Sequence, residues 1–174
     1  MPILLDTNVY LFALRSAAGA EFFERRFRPL VFRTYLSSVV VEELYAGALD
    51  AAGVRLVEAY VAALERAGRV STPSFADWKD AGRLVARVTR QEPGRKGKVQ
   101  QMLNDILLAL SARRLGADLF TFNREDFELI RRHKAFSLRS SGQPRREAEP
   151  RRRLWLGRLS LDAREKRQGC ARQK

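Results

Sequence analysis
Carboxylates in apolar company are the first feature of this sequence that could do chemistry. Asp105 has Met102, Leu108 and Ala109 three or four residues away and Ala112 two turns on, so on a helix its side chain turns with them toward the buried face. A lone carboxylate there costs several kcal/mol or takes up a proton, and a cation beside it removes the need for either. Glu43 stands in a similar setting among Val39, Val40, Ala46 and Gly47, although Glu42 is adjacent and helical spacing alone does not choose between them. Asp6 closes the apolar run Ile3-Leu4-Leu5, and Asp126 follows the apolar segment Leu119–Phe122 by four residues. Taken singly, Asp6 is explained as a helix cap and Asp126 by the positive first turn of a helix. Four such acids together call for another explanation. Hard oxygen donors with no histidine or cysteine beside them select magnesium, with manganese as a substitute, over zinc. The one histidine, His133, has neither a second histidine nor a serine nucleophile motif for company.

These acids need elements that carry them to one place. Pro2–Leu5 reads as a buried strand feeding the turn Asp6-Thr7-Asn8 and a helix over Val9–Arg15. A short helix at Glu21–Arg28 closed by Pro29, an extended Thr34–Ser37, and a helix from about Val39 to Leu49 capped by Ser37 or Ser38 come next. Val54, Val57, Tyr60, Val61 and Leu64 recur at helical spacing up to Gly68, and Val70 begins another brief strand. The spacing predicts a helix over Ser74–Arg90 with Phe75, Trp78, Leu84, Val85 and Val88 inward, and then a loop over Glu92–Gly97. One apolar helix from Val99 to Leu115 closed by Gly116, a strand Asp118–Phe122 and a last helix Arg124–Arg132 complete the series. Alternation of this kind predicts an α/β domain with a mainly parallel central sheet flanked by helices. In such sheets ligands sit outside the carboxyl ends of the strands, where Asp6 and Asp126 are delivered.

Four segments carry a family resemblance. In order, Leu4-Leu5-Asp6-Thr7-Asn8-Val9, Ser38-Val39-Val40-Val41-Glu42-Glu43-Leu44, Leu103-Asn104-Asp105-Ile106-Leu107-Leu108-Ala109 and Phe120-Thr121-Phe122-Asn123-Arg124-Glu125-Asp126-Phe127 resemble the motifs of PIN-domain nucleases, specifically the VapC-type toxins of bacterial toxin–antitoxin pairs. The resemblance covers roughly residues 2–138 and implies a single PIN-like domain. It implies Asp6, Glu43, Asp105 and Asp126 as the catalytic, metal-holding acids, with Glu43 chosen over Glu42 through the Glu-Leu step. It further implies a magnesium-dependent endoribonuclease, a homodimer, and a cognate antitoxin whose segment occupies the acidic site. Within that chemistry Thr7, Asn8, Thr121 and Asn123 would steady the carboxylates, and Arg15, Arg95, Lys96 and Lys98 would flank the crevice and hold RNA phosphates. Many relatives carry a further acid where this chain has Asn123, so fewer charges would hold the ion. Two other readings compete. A catalytically silent PIN-like scaffold would bind nucleic acid without cutting it, and a phosphotransfer domain would want a second acid beside Asp6, where the chain has Thr7 and Asn8.

Bulk properties agree with a nucleic-acid partner. The formal net charge is +13 over 174 residues, which favours polyanions and says nothing of fold. Residues 137–174 hold 12 Lys and Arg against 4 Asp and Glu, leaving 21 against 16 in residues 1–136. The composition shifts from about Ser137 to Ser, Gly, Pro and arginine clusters, so residues 1–138 are expected to form the domain and 139–174 a basic, disordered extension. The single Cys170 allows no disulfide within the chain and no cysteine zinc site. No segment approaches the roughly 18 apolar residues of a membrane span, and the apolar N-terminal stretch is too short for a secretory signal, so a cytoplasmic protein is expected.

Overall fold
The computed structural model describes residues 1–91, 94 and 96–141. The chain runs β1 (Ile3–Leu5), α1 (Thr7–Arg15), α2 (Ala17–Arg26), a 3-10 turn (Arg28–Arg33), β2 (Thr34–Ser37), α3 (Ser38–Ala46), α4 (Ala51–Arg66) and β3 (Val70–Ser71). It continues through α5 (Phe75–Gln91), α6 (Lys96–Gln101), α7 (Leu103–Leu115), β4 (Asp118–Thr121), α8 (Arg124–His133) and β5 (Ser137–Ser140). The five strands form one sheet in the order β3-β2-β1-β4-β5, and every pairing is parallel. This is the α/β architecture with a parallel sheet and flanking helices that the alternating pattern predicts.

β1 is central because it is apolar throughout: Leu4 and Leu5 are fully buried, as a strand covered on both faces must be. The chain leaves β1 for β2 on one side and later returns to β4 on the other, which opens a crevice at the carboxyl ends of β1 and β4. The bond from Asp6 N–H to Phe120 C=O, 2.9 Å, carries the ladder to the lip of that crevice. Leu36, Leu119, Ile106, Leu107, Phe127 and Ile130 close the core around the strands. α7, buried over Ile106–Ala112, ends at Gly116, whose φ of 61° is the left-handed position glycine takes without strain. Since α7 finishes where β4 begins, its first turn, with Asp105, lies at the carboxyl end of the sheet.

The elements depart from the sequence reading in three places. The apolar helix expected from Val99 to Leu115 is two helices broken at Met102 (φ −86°, ψ 12°). Val99, Met102 and Ile106 are all buried, so the apolar spacing runs straight through the bend. Phe75 and Trp78, expected inward, are 83% and 52% exposed. The inward stripe of α5 is instead Asp77, Ala81, Leu84 and Val88. Asp77 accepts from the Ser74 amide (2.8 Å) and from Arg114 Nε at the far end of α7 (2.9 Å), and the inward-turned Asp77 leaves Phe75, about 200° round the helix, outward. Finally, Ser137–Ser140, placed by composition at the start of the extension, is an edge strand on β4. Beyond residue 141 the basic extension lies outside the described residues. Among the described residues no helix is long and apolar enough to cross a membrane.

One close approach predicts a measurable cost. Ser16 caps α2 by accepting from Gly19 N–H at 3.0 Å, and α2 lies so near α1 that a Cβ on Gly19 would sit 2.0 Å from the Phe12 carbonyl oxygen. Backbone cannot give way as a flexible side chain does. Gly19→Ala is expected to destabilise the fold by about 2 kcal/mol through overpacking, read by urea unfolding; an unchanged midpoint would show that α1 and α2 part freely.

Candidate functional site
Each acid reaches the crevice from a different element. Asp6 is the residue after β1, and its side chain makes no cap bond on α1. It turns to the end of β4, where Oδ2 accepts from Thr121 Oγ1 and from Asn8 Nδ2, both at 2.6 Å. Asn8 also donates to Thr121 Oγ1 (3.1 Å) and accepts from Phe122 N–H (3.2 Å), while Thr121 Oγ1 accepts from Asn123 N–H (2.8 Å). Asn8 and Thr121 thus bind two strand ends together and fix one carboxylate between them.

Glu43 comes from α3, whose N-cap is Ser37, accepting from Val39 N–H at 3.2 Å. Glu42 is exposed, and Glu43 is the half-buried one that faces the crevice. Thr7 donates to Glu43 Oε2, and Asn104 Nδ2 donates to Oε1 at 2.8 Å. Asn104 is the partner that sequence reasoning passed over; an amide next to Asp105 in an otherwise apolar turn was its signal. Asp126, in the first turn of α8, accepts from Asn123 Nδ2 at 2.8 Å on Oδ2 and faces Lys98 Nζ at 2.7 Å on Oδ1. Thr7, Asn8, Thr121 and Asn123 therefore all touch an acid or a residue that holds one.

The electrostatics divide the acids into held and unheld. Burial pushes Asp6 up to about 6, against the Thr121 hydroxyl, which favours its ionised form, and with Glu43 adding repulsion. Asp105 is pushed up to about 7 by burial, then by the negative charges of Asp6, Glu43 and Asp126 in that order. Among the described residues no hydrogen bond or ion pair reaches its carboxylate. Asp126 goes the other way: burial works against its charge, but the Lys98 ammonium and the Asn123 amide hold it below the usual carboxylate range. Asp105 is thus the one of the four acids with no donor among the described residues.

The donor set suits a hard divalent cation, being all oxygen and over-supplied with negative charge. As the side chains stand, no three acidic, histidine or cysteine groups among the described residues are gathered into a ready metal-holding group. Glu43 is drawn to Thr7 and Asn104, and Asp126 to Lys98 and Asn123.

The residues expected to hold phosphates are scattered. Lys98 points at Asp126 and Glu125 (3.2 Å), as the acid's counter-charge. Arg15 is exposed at the far end of α1, roughly 12 Å along the axis from Thr7. Arg95 and the side chain of Lys96 lie outside the described residues. Because Lys98 competes for Asp126, Lys98→Met is expected to tighten manganese binding several-fold in calorimetric titration. Weaker binding by that variant would show that the lysine supports the ion rather than opposing it.

Comparison with known proteins agrees with this layout. Residues 3–133 match the sequence model of the PIN domain, and the chain belongs to the PIN domain family. The fold is similar to DNA-bound VapBC from Salmonella typhimurium, with 23% identity, 80% of this chain and 98% of that chain covered, and a TM-score of 0.60. It is also similar to VapBC2 from Rickettsia felis bound to a promoter DNA fragment (20% identity, 81% and 99% covered, TM-score 0.53). VapBC-1 from nontypeable Haemophilus influenzae is a third (22% identity, 80% and 98% covered, TM-score 0.52). At these identities the likeness is one of fold. No curated protein sequence matches the chain.

Proposed function
We propose that the protein is a magnesium-dependent endoribonuclease, the toxin of a toxin–antitoxin pair. The observation that carries this reading is Asp105, an acid without a donor, set among three others at the switch point of a parallel sheet. A buried carboxylate with no donor must either keep a proton or meet a cation, and once it is ionised a cation from outside supplies the missing partner.

In this reading Asp6, Asp105 and Asp126 hold the ion, and manganese can replace magnesium. When bound, the ion supplies a water of lowered pKa and offsets charge developing on the attacked phosphate. Glu43, fixed by Thr7 and Asn104, orients the water, and Asn8 with Thr121 keeps the Asp6 rotamer from drifting. Lys98, seated on Asp126 in the metal-free protein, would be free to meet a phosphate oxygen of the strand if an ion took its place. Two structures of similar fold are of VapBC and VapBC2 bound to DNA, which supports an antitoxin partner for this chain. A homodimer in the cytoplasm completes the proposal.

Incubating purified protein with total RNA, with magnesium and with EDTA, tests it. Cleavage in magnesium that stops in EDTA is expected. RNA retained on the protein but left intact in both would favour a silent scaffold, the arrangement that Lys98 seated on Asp126 would also serve.

A further inference from the structure
Some surface cations on this protein are answered by acids. Arg25 pairs with Glu21 at 4.0 Å, Arg28 with Glu24 at 3.1 Å, Arg124 and Arg131 with Glu128 at 3.5 and 2.9 Å, and Arg139 with Asp118 at 2.9 Å. On the exposed face of α5 cations are gathered in a row. Lys79, Arg83, Arg87 and Arg90 follow one another at intervals of four, four and three residues, which makes a single ridge roughly 17 Å long. Arg83 reaches Asp80 at 3.6 Å, but that carboxylate is already taken by Lys134 at 2.7 Å. Among the described residues Lys79, Arg87 and Arg90 have no ion pair.

The C-terminal end of the ridge lies beside the first turn of α7. Beside it runs an open groove of about 510 Å³ whose lining includes Gly82, Val85, Ala86, Arg90, Gln100 and Leu103. Leu103 opens α7 and directly precedes Asn104 and Asp105; Gln100 is on α6, the helix that sends Lys98 to Asp126. The groove floor is apolar and, at Gly82 and Ala86, nearly free of side chain, a surface on which flat rings can lie without hydrogen-bond readout.

We propose that the α5 ridge is a track for single-stranded RNA, with phosphates on the four cations and bases over the groove. This rests on reading the crevice as an RNA-cleaving site, since the strand on the track is the one that crosses it. Charge complementarity favours a polyanion here. A second copy docking ridge to ridge would set eight cations against one another, which self-association does not tolerate without intervening anions.

The test is binding of a fluorescein-labelled oligouridylate to the full chain in EDTA, followed by anisotropy across a salt series. Each phosphate contact on a single strand contributes about 0.7 to the slope of log affinity against log salt. Arg83→Gln/Arg87→Gln/Arg90→Gln is therefore expected to lower that slope by about 2 and affinity by at least about tenfold. Arg25→Gln/Arg28→Gln, on acid-paired positions, should leave the slope near wild type, and circular dichroism checks that both variants fold. Equal slopes for the ridge variant and wild type would overturn the track. So would a ridge variant that binds normally but changes sedimenting mass, which would make the ridge a protein interface. If wild type fails to cut RNA in magnesium while the slope difference persists, the nuclease reading falls and the track stands. If it cuts and the slopes agree, the track alone falls.

Discussion

Asp105→Asn is expected to abolish RNA cleavage and, in the same protein, to raise the melting temperature measured in EDTA. The two effects share one cause. Without a metal ion the Asp105 carboxylate is buried and faces Asp6, Glu43 and Asp126 with no donor of its own among the described residues, and its pKa near 7 expresses that burial first and the repulsion second. An asparagine keeps the shape and removes the charge, so the fold relaxes by on the order of 2 kcal/mol, equivalent to about 5 °C for a chain of this size. The same exchange removes an ion ligand and should lower the cleavage rate on the order of a thousandfold. Asp77→Asn is the matched control. Asp77 is also an acid in the protein's interior, but the Ser74 amide and Arg114 hold it ionised, so its substitution should lower the melting temperature. If Asp105→Asn destabilised the metal-free protein as Asp77→Asn does, Asp105 would be a structural acid and the proposed metal site would lose its anchor.

Parts of the structure that depend on a run of residues were legible in the sequence. Pro2–Leu5 reads as a buried strand, and the strand Ile3–Leu5 places Asp6 at its end. Thr34–Ser37 was read with the bounds the strand has, and Glu43 was distinguished from Glu42 by the motif rather than by helical spacing. What stayed hidden depends on who stands opposite. Asn104 is explained by Glu43, sixty-one positions away, and Lys98 by Asp126. Phe75 and Trp78 were misplaced because the pattern rule puts aromatics inward, whereas a paired Asp77 and Arg114 decided the rotation of α5. β5 has a single apolar residue, Leu138; it is held by Ser137 and Arg139, which both donate to Asp118 on β4, and pairs of that kind leave no periodicity. The same distinction explains the site: Asp105 stands out by breaking a local pattern, Thr7, Asn8, Thr121 and Asn123 follow from the resemblance, and Asn104 is singled out by neither.

The second large effect is on stability as a function of pH. Asp6 near 6 and Asp105 near 7 both keep a proton in the fold that the unfolded chain, with an ordinary aspartate near 3.8, has already released. Above the unfolded value the native state therefore binds more protons than the unfolded one, and stability falls as pH rises. The loss begins near the unfolded pKa of about 4 and is complete once pH passes the folded values, about 7. For Asp6 alone it is on the order of 3 kcal/mol, and Asp105 adds a comparable amount that is not independent, because the two repel each other. Asp77, Asp80, Asp118 and Asp126 have lowered values, so what they contribute is lost only as pH falls below about 4, outside this window. In EDTA the urea midpoint should accordingly decline from weakly acidic to neutral pH. If magnesium binds the ionised acids as proposed, adding it should recover most of the decline, and recover more at higher pH. A midpoint in EDTA that stayed level across this range would mean that Asp6 and Asp105 are ionised without penalty, and that the crevice has no unmet demand for a cation.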